Sequence, residues 1–141
     1  MMQAAELHFG RIDILTNNAG VTHLPQPLQA VSEEDFDRVF NINMSANYLA
    51  MREVVPRLKA NAPGHRGICG VALNPVAGET PLLQSLMGEH TPEMRAKFLA
   101  TMPIGRFSQP QHVAHAACYL YSDEASMRTG VCMDVDGGRG I

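Results

Sequence analysis

The chain has 141 residues, 45% hydrophobic and 18% charged, with a formal net charge of -3. That size and apolar content fit one globular domain with a modest core, and a weakly acidic balance without a basic patch or arm excludes a nucleic-acid surface. No apolar run is long enough to cross a bilayer, and the start, "MMQAAELHFGRIDIL", lacks the basic-then-apolar shape of a secretory signal.

Cys69, Cys118 and Cys132 are odd in number, widely spaced and form no Cys-x-x-Cys pair. This argues against a disulfide framework and against zinc, and a reduced, cytoplasmic protein is expected. Residues 3–9 read as the last turns of a helix stopped by Gly10. In "RIDILTNNAG" the apolar run of Ile12, Ile14 and Leu15 suits a buried strand opening into a loop. "VTHLPQPLQA" has two prolines and reads as loop. Ser32 and Asp35 then mark a helix start. Phe36, Val39, Phe40 and Met44 keep helical spacing, and apolar residues continue to Leu58, with Pro56 as a candidate kink. Pro63-Gly64 breaks this stretch.

"ICGVAL" is a second buried-strand candidate, closed by Asn74-Pro75. Short helices are predicted over 81–89 and 92–101, and a better one over "PQHVAHAACYLYS", with Val113, Ala116, Ala117 and Leu120 as its apolar face. "GVCMDVDGG" reads as a last strand and a glycine turn. Strands alternating with helices imply a parallel sheet.

Four stretches, "FGRIDILTNNAG", "FDRVFNINMSANYLAM", "NPVAGETPLL" and "LYSDEASMRTGVCMDVDGG", resemble the short-chain dehydrogenase/reductase family, in family order and near family spacing. The resemblance implies a doubly wound α/β sheet and hydride transfer between NAD or NADP and a carbonyl or alcohol. It implies cofactor contacts at Asn17, Asn18, Ala19 and Gly20, at the strand end where open α/β sheets bind ligands. A plain strand-to-loop turn is the alternative. Asn43 matches the family's asparagine that helps hold a proton-relay water, against a helix asparagine making a local backbone bond. Pro75 to Thr80 resembles the loop whose threonine contacts the nicotinamide amide. Thr80 equally suits a helix N-cap before Pro81. Val76 stands where the family commonly has Gly, and Ala46 where it often has Gly.

The resemblance also points to what the chain lacks. No Gly-rich phosphate turn precedes "NNAG", so NAD and NADP are expected to bind weakly or not at all. "NAPGHRGICG", residues 61–70, joins the long helix directly to a segment resembling the family's sixth strand. The fifth strand with its serine, and the helix with Tyr-x-x-x-Lys, have no counterpart across this junction near 61–67. Tyr48-x-x-x-Arg52 has the right helical spacing for a stand-in, but arginine does not shuttle protons. His112-x-x-His115 lacks a third ligand, and Asp134–Gly138 lacks the distant Glu of a calcium loop, so no metal is expected.

The expected fold is therefore a partial Rossmann-type doubly wound parallel sheet in a single domain over 1–141. It has about three strands, near 12–16, 68–73 and 131–135, with flanking helices. By resemblance the function is NAD(P)-dependent oxidoreductase, impaired or inactive. The alternative is a non-catalytic oligomerisation module related to the family's subunits. Expected partners are a small carbonyl or alcohol substrate if the chain is active, no nucleic acid, no membrane, and a second copy or a related subunit.

Overall fold

A computed structural model describes residues 1–61, 70–88 and 91–140. The chain groups into two compact units, Met1–Val21 with Ser32–Cys69, and Thr22–Val31 with Gly70–Ile141.

The first unit is helical. Helix α1, Met2–Phe9, stops at Gly10, whose φ of 85° lies in the region that favours glycine. Helix α2, Glu33–Phe40, begins as expected: the Ser32 side chain accepts the Asp35 N–H at 3.1 Å. A π-helical turn, Asn41–Ser45, then passes without a break into α3, Ala46–Asn61. Pro56 lies inside α3, and the helix continues past it to Asn61.

The strand expected over 12–16 does not form; residues 11–21 run without helix or strand. A strand is a ladder of hydrogen bonds, not a chain shape, and no described strand pairs with this segment. The Ile12 carbonyl is instead taken by the Asn61 side-chain amide at 2.6 Å. Arg57 ties α3 to α1 through Glu6 at 3.1 Å. Of the large apolar side chains described in this unit, Ile12 and Val54 are buried, while Phe36, Phe40, Met44 and Tyr48 are exposed.

The second unit holds the sheet, of two parallel strands rather than three among the described residues. Strand β1, Val71–Pro75, pairs in register with β2, Val131–Val135, from Val71 opposite Val131 to Pro75 opposite Val135. The strand expected over 68–73 thus runs on to Pro75, and 68–69 lie outside the described residues. Proline closes it well, having no N–H to give to a ladder.

Between the strands come α4 (Pro81–Met87), α5 (Pro92–Leu99) and α6 (Pro110–Tyr121), each opened by proline, where the missing N–H costs nothing. Helix α6 packs on both strands. Its expected apolar face holds: Leu120 is buried, and Val113, Ala116 and Ala117 are partly so. The core of this unit is Ala77, Leu83, Met87, Met102 and Phe107, with Val76, Met94, Phe98 and Leu99 packed against it. Val76 therefore has a packing role in this unit.

Candidate functional site

In the first unit, Asn17, Asn18, Ala19 and Gly20 are all exposed. Without a paired strand to carry them, they form an open loop. The next residue, Val21, is held firmly. Asn43 Oδ1 accepts its N–H at 2.9 Å, and Asn43 Nδ2 donates to its carbonyl at 2.8 Å. Gly20 lies against the same amide, so that an added Cβ would meet Asn43 Oδ1 at 3.6 Å.

Asn43 sits inside the π-helical turn, and its own carbonyl accepts the Asn47 amide at 2.6 Å. The side-chain amide makes a long-range bond here, not the local backbone bond of a plain helix asparagine. The side chain is a long-range clamp on the loop after "NNAG", and its partner Val21 carried no signal in the sequence.

In the second unit, Pro75 ends β1 and opens the loop to Thr80. Parallel strands share one carboxyl edge, where β2 ends at Val135. This loop is stitched to residues 107–109. Ser108 N–H donates to Ala77 at 3.3 Å, Ser108 Oγ donates to Val76 at 3.2 Å, and Glu79 N–H donates to Ser108 at 2.8 Å. Glu79 Oε1 meets Arg95 at 2.6 Å, and its other oxygen accepts the Gln109 amide. The Arg95 hydrogen bond, with Gln109 behind it, holds the Glu79 carboxyl below its ordinary pKa. Glu79 lay within a recognised motif, yet no spacing rule marks it as the clamp of its own loop.

Thr80 occupies the N-cap position of α4 with extended backbone, but its hydroxyl makes no capping bond. It turns instead to the Gly78 carbonyl at 3.5 Å and is exposed. The capping alternative thus accounts for the residue's place and not for its hydroxyl, which keeps its lone pairs for another donor. Asn17 and Asn18 are likewise exposed, and no hydrogen bond ties their amides to another described residue. These groups suit contact with a polar ligand. None of them is an acid–base group.

Beside the carboxyl end of β2 opens a cavity of about 240 Å³, with Met102, Ile104 and Phe107 as its apolar wall and Arg106 and Asp136 in its polar lining. Asp136 Oδ1 accepts the Gly138 N–H at 2.9 Å and Oδ2 the Gly140 N–H at 2.7 Å, which hold its carboxyl below the ordinary range. This is a strand end and its turn. His112 Nδ1 accepts the Gln109 N–H at 2.8 Å at the start of α6, so that nitrogen is committed to the helix. Among the described residues no group of three His, Cys, Asp or Glu is placed to hold a metal ion.

Residues 1–72 match the short chain dehydrogenase family, and residues 57–139 match a family described as Enoyl-(Acyl carrier protein) reductase. The chain belongs to the short-chain dehydrogenase/reductase family. Within it, this member is 34% identical over 181 residues to the 4-formylbenzenesulfonate dehydrogenase of Comamonas testosteroni, covering 100% of this chain and 72% of that one. It is 31% identical over 165 residues to the 3-oxoacyl-[acyl-carrier-protein] reductase of Thermotoga maritima, covering 92% and 67%.

Among solved structures, a 3-ketoacyl-(acyl-carrier-protein) reductase from Brucella melitensis, complexed with NADH, is similar with a TM-score of 0.85. It is 36% identical, over 99% of this chain and 72% of that one. Levodione reductase, 23% identical with a TM-score of 0.86, shares the α/β fold. The alignment to the Comamonas testosteroni enzyme takes in all 141 residues yet runs over 181 positions. Some of that enzyme's residues therefore face a gap inside this dehydrogenase-family chain. No helix among the described residues is long and apolar enough to cross a membrane.

Proposed function

We propose that this chain is an NAD(P)-dependent oxidoreductase by descent whose catalysis is impaired or lost, and whose cytoplasmic role is no longer that of a complete reductase. The observation that carries the reading is internal to the chain. Between Lys59 and Asn74 there is no Tyr-x-x-x-Lys, nor does one occur anywhere in the 141 residues. The surplus of aligned positions over residues supports a gap of that kind. Reduction of a carbonyl needs a proton donor within hydrogen-bond reach, worth about 10²–10⁴ in rate.

Asn17, Asn18, Ala19, Gly20, Pro75 and Thr80 are the residues that would touch NAD or NADP, and Asn43 the one inherited from the proton relay. The cofactor would supply the hydride; these side chains supply contact and position. The class of substrate by descent is a small carbonyl or alcohol. Titration calorimetry with NADH and NADPH, followed by turnover assays on aldehydes and 3-oxoacyl thioesters, tests the reading. The expected result is no micromolar binding and no rate above background. Micromolar affinity together with turnover would overturn it.

A second reading, a non-catalytic assembly module, is favoured by one observation. The continuous helix from Glu33 to Asn61 exposes Phe36, Phe40, Met44, Tyr48 and Met51. Exposed apolar side chains in a row mark a surface that another chain covers.

A further inference from the structure

We infer that the cavity beside the end of β2 binds a small monocarboxylate with an apolar body, held by Arg106 and His112. The inference goes beyond the function proposed above and does not depend on it, since it needs neither a nicotinamide cofactor nor an acid–base pair.

A short stretch of chain builds the pocket. Residues 102–105 turn back on themselves: Gly105 has a φ of 70°, and its N–H donates to the Met102 carbonyl at 2.8 Å. The Ile104 N–H donates to the Gly137 carbonyl at 3.2 Å and so ties this turn to the end of β2. Met102, Ile104 and Phe107 then wall a space of about 240 Å³, which Arg106 and His112 also line. Sites for drug-sized ligands run to ~300–1,000 Å³, so the guest here is smaller.

Hydrogen bonding selects the charge of that guest. His112 Nδ1 accepts the Gln109 N–H at 2.8 Å. A ring nitrogen that accepts carries no proton, so the proton of the neutral imidazole sits on Nε2. Nε2 lies 3.2 Å from Arg106 Nη1. A guanidinium only donates, so two N–H groups converge with no acceptor between them. Arg106 has no ion pair among the described residues. The carboxylates in the same lining are already engaged: Asp134 Oδ1 accepts the Asn74 amide at 3.0 Å, and both oxygens of Asp136 accept glycine N–H groups. A carboxylate from outside offers one oxygen to Arg106 and the other to His112, and the bond to the guanidinium is charge-assisted.

The rest of the lining narrows the class. Asp134 and Asp136 repel a multiply charged anion, whereas Arg106 balances a single negative charge. The wall of Met102, Ile104 and Phe107 has no polar side-chain group to offer, and it suits an aliphatic or aromatic body.

Titration calorimetry on the whole chain tests this with three probes: benzoate, its neutral analogue benzamide, and inorganic phosphate. Benzoate should bind, and the other two should bind about tenfold more weakly or not at all, because each lacks one half of the recognition. Arg106→Gln removes the charge. His112→Glu places a carboxylate beside Arg106 from within the chain, and glutamate at that third helical position also accepts the N-cap N–H. Each substitution should lower benzoate affinity tenfold or more, with circular dichroism unchanged. Benzoate that does not bind, or that binds no better than benzamide, would overturn the inference without any variant. Phosphate binding as tightly as benzoate would overturn the apolar class of ligand. Benzoate affinity that survives both substitutions would place the ligand elsewhere and overturn the site.

Discussion

Asn43 grips the main chain of Val21 at both ends of its amide, accepting the N–H at 2.9 Å and donating to the carbonyl at 2.8 Å. The pair closes a loop of 22 residues with two hydrogen bonds from one side chain. Asn43→Ala leaves a part-buried N–H and carbonyl to find water, at a cost of about 1–2 kcal/mol. A urea titration should show the unfolding free energy fall by that much and the midpoint shift down with it. An unchanged midpoint would mean that the clamp contributes nothing to the fold and that its retention needs another explanation.

That clamp also shows where sequence reading works and where it stops. Local signals were legible: the Ser32 cap, the Gly10 stop, the prolines opening α4, α5 and α6, and the apolar face of α6 all depend on neighbours within a turn. The strand expected at 12–16 failed because pairing is not local. Ile12 and Ile14 have the right residue types, but a ladder needs a partner that residue type does not announce. The same limit hid Val21 behind Asn43, and Arg95 and Gln109 behind Glu79, since each partner is 16 or more residues away and its choice is made by packing. The π-helical turn at Asn41–Ser45 has no cap or breaker residue to mark it within the stretch of helical spacing.

Acid should loosen the second unit through Glu79 and Asp136. Both carboxyls are held below their ordinary values, Glu79 chiefly by Arg95 and then Gln109, Asp136 by the Gly138 and then the Gly140 N–H. In the unfolded chain they titrate near about 4. Their stabilising contribution is therefore complete above that value and is lost as the pH falls below it through the folded values. Urea midpoints measured from pH 7 downward should hold, as far as these two groups decide, and then drop below about pH 4. Glu79→Gln and Asp136→Asn should each lower the neutral midpoint and flatten the acid limb. A limb as steep as the wild type's in both variants would assign the acid response to other carboxyls.

Two glycines separate backbone strain from crowding. Gly137 and Gly130 share a φ of 67°, a conformation that side chains disfavour. A Cβ on Gly137 would lie 2.6 Å from Ile104 Cγ2, at the wall of the cavity, whereas one on Gly130 meets nothing within 4 Å. Alanine at either site costs about 1–2 kcal/mol for the left-handed backbone. Only Gly137→Ala must also displace Ile104, adding about 1–3 kcal/mol. Thermal or urea unfolding should rank Gly137→Ala well below Gly130→Ala. Equal losses would show that Ile104 yields freely and that the cavity wall is soft.

The last expectation concerns the one arrangement that imitates the family's acid–base pair. Tyr48 and Arg52 stand one turn apart on α3, with the guanidinium carbon 5.9 Å from the ring centre. The chemistry asks for a phenol whose proton is lost easily and replaced quickly. A neighbouring cation would help the first, but a guanidinium keeps its own protons and so does not relay one onward. Tyr48 is also 65% exposed, in high dielectric, where a positioned charge acts weakly. Its side chain belongs to an apolar stripe, and Phe keeps that surface. Tyr48→Phe should therefore leave helix content, self-association and the background rate with NADH or NADPH unchanged. Any turnover by the wild type that falls 10²-fold or more in Tyr48→Phe would show a positioned acid at work, since about that factor is what such a group contributes. The active chemistry would then have moved onto the long helix, and the assignment of this chain as a catalytically impaired member would be wrong.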